Sequence, residues 1–301
     1  MELIGKTKID FIGMKKISFI ISTIISILGI IGIIQIYRGA ANMGTDFTGG
    51  TVLQLRFKNP IQMDQARHAL TKNGLEVSLQ EIKGGNQLLV KVGKANVAIG
   101  NVSDTVQEIF KKEFAANPFT VDSSSEIGPS IGAKLRNDTL IAVAISLLGI
   151  ILYIAWRFDF KFGLGAVLAT VHDVLAMFAV FYLLNKEINL LFITAVLTVA
   201  GYSLTDTVVV FDRIRENLRK SLKESMRTIF NLSINEVLSR TIVTSLTTFL
   251  ASISLFFFGG EVIHDFSFAL AVGVVVGTYS SVFVASPVVA VLENRAKPAK
   301  A

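Results

Sequence analysis

The sequence contains no cysteine, so disulfide bonds and thiol chemistry are excluded and the redox compartment cannot be inferred. Charged residues are also scarce: they make up 17% of the chain, against about 25% in an average soluble domain. Hydrophobic residues make up 51%, and they come in blocks long enough to cross the roughly 30 Å of a bilayer's hydrocarbon core. The composition therefore indicates an integral membrane protein.

Six apolar blocks are candidate membrane spans, numbered here in chain order. They are Ile17–Tyr37, Leu140–Trp156, Leu164–Leu184, Leu190–Phe211, Thr241–Phe258 and Phe266–Val291. The first block follows Lys15 and Lys16, as the core of a signal peptide would. At about twenty residues it is longer than the roughly 7–15 residues of such a core, so we expect an uncleaved anchor.

The loops differ in basic residues. Lysines precede span one, Arg157 and Lys161 separate spans two and three, and Arg295 follows span six, whereas Lys186 is the only basic residue in the turns after spans three and five. Because Lys and Arg favour cytoplasmic loops, we expect a multi-pass membrane protein with both termini in the cytoplasm. The net charge of +6 then reflects this bias rather than a nucleic-acid partner.

The residues between spans one and two show the periodicity of strands and short helices rather than long apolar runs. Alternating apolar positions predict strands at Thr51–Phe57, Glu76–Ile82, Gln87–Val92 and Phe119–Ile127, and helical periodicity predicts helices at Ile61–Asn73 and Val102–Ala116. Gly84-Gly85-Asn86 is a hairpin-turn signal. The β-α-β-β-α-β order is the ferredoxin-like pattern, which hosts many functions. His68 has no metal-ligand spacing around it and is interpreted as a surface residue of a helix.

These patterns divide the chain into a membrane part and one outer domain. The predicted division is a cytoplasmic N-terminus at 1–16, span one at 17–37, an extracytoplasmic ferredoxin-like α+β domain at 38–137, spans two to six at 138–292 with a cytoplasmic loop at about 212–239, and a cytoplasmic C-terminus at 293–301. The fold class is therefore a six-span α-helical membrane protein with an inserted α+β domain.

Span four carries Asp206 inside an otherwise apolar segment. A carboxylate at that depth costs about 2.5–3.5 kcal/mol on insertion scales, so an acid there is a functional hypothesis by default. Arg240 is its candidate partner, because spans four and five run antiparallel and would bring the two charges within about two helical turns in depth. Tyr202 and Ser203 precede Asp206 by four and three residues and share its helix face.

Two interpretations compete for the polar residues of the spans. Ser and Thr side chains such as Thr244 commonly hold membrane helices together. A static pair of Asp206 and Arg240 could be replaced by apolar packing at little cost, whereas a proton carrier could not, which favours reversible protonation. His172 and Asp173 in span three fit either interpretation. Movement of Arg240 toward or away from Asp206 would load and release a proton.

Several motifs resemble the SecF family of bacterial protein-export membrane subunits, in the SecD/SecF group of the RND superfamily. Asp46–Gly50, with the sequence DFTGG, is similar to the family's D-F-x-G-G signature. Further similar motifs are GPSIG at Gly128–Gly132, His172-Asp173, GYSLTDT at Gly201–Thr207, FDRIRE at Phe211–Glu216 and Ser239–Thr241. The family usually has Asn where this chain has Thr205, which leaves the neighbouring acid in place.

The resemblance implies half of an RND-type transporter that works with SecD and the SecYEG channel, often with YajC, on an unfolded polypeptide, and that uses the proton-motive force for late steps of export. It implies that Asp206 is the proton-coupling acid and Arg240 its modulating base. The supporting polar residues would be His172, Asp173, Tyr202, Ser203, Thr205 and Thr244. The DFTGG and GPSIG motifs are interpreted as a structural hinge, formed by Asp46, Phe47, Gly49, Gly50, Gly128 and Pro129.

Other readings remain open. An RND-type machine needs two six-span halves, so a partner is expected. Gly273 and Gly277 in span six fit either packing within the chain or contact with that partner. Half of a small-molecule efflux pump and an ion-independent scaffold of the translocon are the alternative functions, and Na⁺ could replace H⁺ as the coupling ion. No nucleotide, metal or cofactor site is visible, so we expect a transport subunit rather than an enzyme.

Overall fold

The computed structural model describes residues 7–82, 86–93, 101–221 and 224–296. The chain divides into two compact units, residues 1–42 with 143–301, and residues 43–142. We call the first unit the helix bundle and the second the sheet domain. Of the predicted hairpin turn at 84–86, Gly84 and Gly85 lie outside the described residues.

Among the described residues, six helices are long and apolar enough to cross a membrane, which confirms the predicted membrane class. After a 3₁₀ turn at Ile12–Met14, the bundle comprises α1 (Lys15–Tyr37), most of α5 (Pro129–Arg157), α6 (Phe160–Leu183), α7 (Leu190–Lys220), α8 (Met226–Phe258), α9 (Glu261–Ser280), a π-helical segment at Ser281–Ala285, and α10 (Ser286–Ala296). The last three form one continuous helical span.

Residues 212–239, predicted as a loop, are almost entirely helical. Helix α7 continues to Lys220 and α8 begins at Met226, where the Ser225 side chain caps the helix by accepting from the Thr228 amide. Charged residues end the apolar run, but they do not end the helix, because Glu216 pairs with residues on its own helix face at i−3 and i+4. Hydropathy thus marked the apolar part of each helix and missed its polar extension.

One end of the bundle, called here the basic end, is tied together by ion pairs of the FDRIRE motif. Asp212 on α7 pairs with Arg157 on α5 at 2.5 Å, and Arg213 pairs with Glu236 on α8 at 2.7 Å. The segment before α1 docks on the same end, where Asp10 pairs with Arg227 of α8. These contacts join four parts of the chain at the end where α1 and α8 begin.

Glycines set the close contacts inside the bundle. A Cβ on Gly29 of α1 would lie 2.2 Å from the Leu175 carbonyl oxygen of α6. On α9, a Cβ at Gly273 would lie 2.2 Å from Val199 Cγ2, and one at Gly277 would lie 2.8 Å from Ser203 Cβ, both on α7. Gly273 and Gly277 therefore face α7 within this chain. Of the two interpretations given for these glycines, packing within the chain is the one that the structure shows, and contact with a partner is not supported because α7 already covers this surface.

The sheet domain has the ferredoxin-like topology expected from its sequence. After the short helix α2 (Thr45–Thr48) come β1 (Gly50–Phe57), α3 (Met63–Lys72), β2 (Val77–Ile82), β3 (Gln87–Gly93), α4 (Val102–Glu113) and β4 (Phe119–Ile127). The sheet order is β2-β3-β1-β4 and every pairing is antiparallel. Helices α3 and α4 contact each other and cover an apolar core that includes Leu53, Leu55, Phe57, Leu70, Val90 and Phe110.

The DFTGG and GPSIG motifs meet in the sheet domain. Gly49 and Gly50 have φ of 76° and 147°, which favour glycine, as α2 turns into β1. A Cβ on Gly49 would lie 3.0 Å from Pro129 Cα, and one on Gly132 would lie 2.9 Å from the Gly49 amide nitrogen. Phe47 is buried and Gly128 precedes α5. The two motifs therefore form one tightly packed corner, in which backbone approaches backbone.

Candidate functional site

Asp206 lies in the interior of the bundle, where three helices meet. Its side chain on α7 is 8% exposed, and its Oδ2 accepts a hydrogen bond of 3.3 Å from Ser245 on α8. Ser245 in turn accepts a 2.7 Å hydrogen bond from Thr278 on α9. The acid is thus connected to both neighbouring helices through a chain of two hydroxyls.

Arg240 is placed differently from the sequence expectation. It is exposed near the middle of α8, and no ion pair within 4.0 Å joins it to Asp206 among the described residues. The structure therefore brings the acid together with Ser245 and leaves the base outside direct contact.

Asp173 on α6 forms a second buried acid site. It is 0% exposed, and its Oδ2 accepts from Ser203 of α7 at 2.5 Å and from Ser280 of α9 at 2.8 Å. His172 Nδ1 lies 3.1 Å from its Oδ1. Two helices besides its own therefore supply donors to this carboxylate.

His172 is 4% exposed and connects the second acid to α1. Its ring lies 5.9 Å from the ring of Tyr279 on α9, centroid to centroid. The Tyr279 hydroxyl donates to the Ser18 carbonyl oxygen of α1 at 3.1 Å and lies 3.1 Å from the Ser22 hydroxyl. His172 Nε2 is buried without a hydrogen-bond partner among the described residues.

The other predicted polar residues divide into interior and exposed ones. The Tyr202 hydroxyl is buried and has no hydrogen-bond partner in the described part of the chain. Thr205 and Thr244 are exposed, and their hydroxyls donate to carbonyl oxygens one turn earlier on their own helices, at 3.2 and 3.1 Å. Ser203 belongs to the Asp173 site rather than to Asp206.

Sequence reasoning singled out Ser203 but missed the other hydroxyls that hold the two acids. Ser245, Thr278 and Ser280 carried no signal that distinguishes them from the other Ser and Thr residues of their helices. The contacts between α7, α8 and α9 could not be read from helical spacing within one span. Among the described residues, no group of three or more His, Asp or Glu side chains is arranged to hold a metal ion.

Helices α7 and α8 each expose a row of small and polar residues, and we call the two rows together the polar stripe. On α7 the stripe comprises Thr194, Thr198, Gly201 and Thr205, and on α8 it comprises Arg240, Thr244, Thr247, Ala251 and Ser254. The hydroxyls bond to their own helix backbones, as Thr194, Thr198 and Ser254 do at 2.8–2.9 Å. The stripe therefore offers a surface that another helix could approach closely.

Two family models match the chain. Residues 105–295 match the family described as protein export membrane protein SecD/SecF, C-terminal, and residues 41–61 match the SecD/SecF GG motif. The second match contains the DFTGG segment, and the first contains Asp173, Asp206 and Arg240. Neither description names an enzymatic activity.

Curated relatives and solved structures agree with these matches. The chain is 52% identical to protein translocase subunit SecF of Thermodesulfovibrio yellowstonii, covering 97% of each chain, and 39% identical to that of Calditerrivibrio nitroreducens, covering 99% and 98%. A crystal structure of SecDF, a translocon-associated membrane protein from Thermus thermophilus, is similar with a TM-score of 0.81 at 35% identity. That match covers 96% of this chain, which spans only 39% of the SecDF chain.

Proposed function

We propose a function for this chain from its family, since it belongs to the SecF family of protein-export membrane proteins. In this proposal it is an accessory subunit of the Sec translocase, and it uses the proton-motive force to promote late steps of polypeptide export. One observation supports the coupling role most strongly. Asp206 is a carboxylate buried among hydroxyls of α8 and α9, in a bundle long and apolar enough to cross a membrane. Holding a charge there is costly unless the group can be neutralised by a proton.

Proton coupling requires that Asp206 changes its surroundings during a cycle. With Arg240 held apart, burial favours the neutral acid. When Arg240 comes close, its charge favours the ionised form and expels the proton. A single charge that crosses 100 mV releases about 2.3 kcal/mol, which is the free energy available per proton for moving helices. H⁺ is the proposed coupling ion because a carboxylate can bind a proton by itself, whereas Na⁺ needs several oxygen ligands and Ser245 makes the one side-chain hydrogen bond to Asp206 among the described residues.

We propose that the polar stripe is covered by a SecD half. Arg240 is exposed and directly precedes the apolar run of span five, so a protein surface that can pair with its charge is favoured there over lipid. The small residues of α7 and α8 allow a partner helix to approach closely. The remaining length of the similar SecDF chain supports a second half, and SecDF is described as translocon-associated.

The remaining partners and the location follow from family membership and from charge. We propose that the SecD–SecF pair acts with the SecYEG channel and with YajC on an unfolded polypeptide. The basic end of the bundle would face the cytoplasm of a bacterial inner membrane, because Lys and Arg favour that side. The sheet domain would then lie on the outer side.

The experiment is export of a secretory precursor into sealed vesicles that contain this chain, SecD and the channel. With a proton-motive force, the wild type is expected to export more precursor than vesicles lacking the chain. Asp206→Asn is expected to lose that gain at equal protein level. Asp138→Asn, the same chemical change at an exposed position on α5, serves as the matched control and should retain it.

Equal stimulation by the wild type and Asp206→Asn would contradict proton coupling. It would favour the second candidate, an ion-independent scaffold that stabilises the translocon. The chain's membership in the SecF family leaves little support for half of a small-molecule efflux pump.

A further inference from the structure

We propose that Asp173 and His172 form a second proton-binding site of the bundle, which takes up and releases one proton per cycle and signals its charge to α9 through Ser280. The proposal rests on the proton-coupled function proposed for Asp206. It assigns Asp173 a role beyond holding helices together, because the site is arranged to satisfy its hydrogen bonds both with and without the extra proton.

When Asp173 is ionised, hydrogen-bond donors surround its carboxylate. Asp173 accepts from Ser203, Ser280 and His172, and a carboxylate can accept all three bonds at once. Among the described residues, no Lys or Arg lies within 4.0 Å of Asp173, so His172 is the group that can balance its charge. With a neutral imidazole the pair carries one negative charge, and one added proton makes it neutral.

The protonated state is satisfied as well, because the hydroxyls have alternative acceptors. Ser280 Oγ lies 2.8 Å from Asp173 Oδ2 and 3.1 Å from the Gly277 carbonyl oxygen of its own helix. A hydroxyl has one proton, so Ser280 can donate to only one of them at a time. A protonated Asp173 can donate to Ser203, whose hydroxyl can turn toward Ser280 at 3.5 Å. No buried donor is lost when the proton arrives.

His172 provides a second place for the same proton. Its Nε2 is buried, and no described residue bonds to it. In a neutral imidazole with the proton on Nδ1, Nε2 has a free lone pair that can accept a proton when water reaches the site. The pair can therefore be neutral with the proton on either residue, which suits a group that exchanges protons with alternating sides.

The two acid sites share the same two helices. Ser203 precedes Asp206 by three residues on α7, a rise of about 4.5 Å, and Ser280 follows Thr278 by two residues on α9. Thr278 also has two acceptors at 2.7 Å, Ser245 of the Asp206 site and the Val274 carbonyl oxygen. Asp173 is thus bound to α9 directly through Ser280, and Asp206 is connected to α9 through Ser245 and Thr278. Both α9 hydroxyls can switch to the backbone of their own helix.

The segment after Ser280 is suited to respond to a change in the protonation of Asp173. Ser281–Ala285 forms a π-helical turn, a feature often found at functional sites, and Ser286 bonds to the Ser281 carbonyl oxygen at 2.9 Å. Phe283 within it packs edge-to-face on Phe11 before α1, at 5.5 Å between centroids. Release of Ser280 from Asp173 would therefore loosen α9 next to a turn that contacts the N-terminal segment.

Other ionisable groups on the packed helices must be separated in the test. They are Asp206 and Tyr202 on α7 and Tyr279 on α9, whereas α1 presents Ser18 and Ser22 on this side. Infrared difference spectroscopy of the full chain with SecD in lipid nanodiscs, titrated from acidic to alkaline pH, detects the C=O band of a protonated carboxylic acid. Asp206→Asn removes the first acid from the spectrum.

In the Asp206→Asn protein, we expect a carboxylic-acid band that titrates with pH and whose proton exchanges slowly with deuterium, as that of a buried group does. The same band should be absent from the double variant Asp206→Asn/Asp173→Asn. Absence of any slowly exchanging, titrating band in Asp206→Asn would overturn the proposal. This result does not depend on transport, so it can be distinguished from a failure of the proposed function.

The export assay gives the functional readout. Asp173→Asn keeps the shape of the side chain and should lose the force-dependent gain. Ser280→Ala should lose that gain while its carboxylic-acid band still titrates, because the proton is bound but not transmitted to α9. Full force-dependent export by either variant would overturn the proposal, whereas an unchanged gain in Asp206→Asn would instead contradict the proposed function.

Discussion

The sheet domain and the helix bundle have different interiors. The core of the sheet domain is apolar, and among its described residues Thr51 and Ser103 are the buried polar side chains. The described part of the bundle, in contrast, buries two carboxylates, an imidazole and several serine and threonine hydroxyls, of which Ser203, Ser245 and Ser280 bond to the carboxylates. An interior built only for stability would resemble the first. The second retains groups that are costly to bury, which indicates that they serve a function.

Removing a large side chain from the apolar core should have the largest effect on stability. Phe57 is 1% exposed and packs edge-to-face on Phe110 at 5.8 Å. Phe57→Ala should destabilise the sheet domain by about 3–5 kcal/mol, because it leaves a cavity. Denaturant titration followed by protease resistance of the domain measures the change. The control is Val121→Ala, at a 39% exposed position of β4, which should change the free energy of unfolding by no more than about 0.5 kcal/mol. Equal losses of stability in the two variants would contradict a core centred on Phe57.

A larger side chain at the close contact between α7 and α9 should have the next largest effect on stability. A Cβ at Gly273 would lie 2.2 Å from Val199 Cγ2, so Gly273→Val must push the helices apart. Overpacking of this kind costs about 1–3 kcal/mol and should also disturb both acid sites. Thermal unfolding of the purified protein measures it. Gly149→Val on α5, where a Cβ would meet nothing within 4 Å, is the control. A similar melting temperature for both variants would show that the two helices are not tightly packed there.

The smallest effect concerns the ionic contact at the basic end. The hydrogen bond from Arg227, followed by that from Asn231, holds the pKa of Asp10 well below its ordinary value of 3.8. A lowered folded-state pKa means that the contact contributes fully above the ordinary value and is lost as the pH falls through the folded one. Protease access to the N-terminal segment should therefore rise only in strong acid. Asp10→Asn should remove this pH dependence, and an unchanged acid transition in that variant would assign it to other groups.

Much of the fold could be predicted because its signals are local. The six spans follow from hydropathy, and the strand and helix order of the sheet domain follows from periodicity and turn residues. Helix α7 continues beyond Phe211, the predicted end of the apolar span, and Glu216 supports this extension with ion pairs rather than apolar packing. Hydropathy does not detect such an extension.

The candidate site could be predicted only in part, because its contacts are between helices. Asp206 was recognisable as a carboxylate in an apolar segment. Its donor Ser245 was not recognisable, and neither was Ser280, one of the donors of Asp173, because antiparallel packing fixes depth but not rotation. The same limit explains Gly273, whose spacing indicated close packing but not that α7 is the neighbour.

The most direct test of proton coupling is proton movement itself. Vesicles with this chain, SecD, the channel and a precursor would be loaded with a pH-sensitive dye, and proton flow during export would be compared between the wild type, Asp206→Asn and Asp138→Asn. We predict flow that accompanies export in the wild type and in Asp138→Asn and is absent in Asp206→Asn. Undiminished export-linked proton flow in Asp206→Asn would contradict the assignment of Asp206 as the coupling acid.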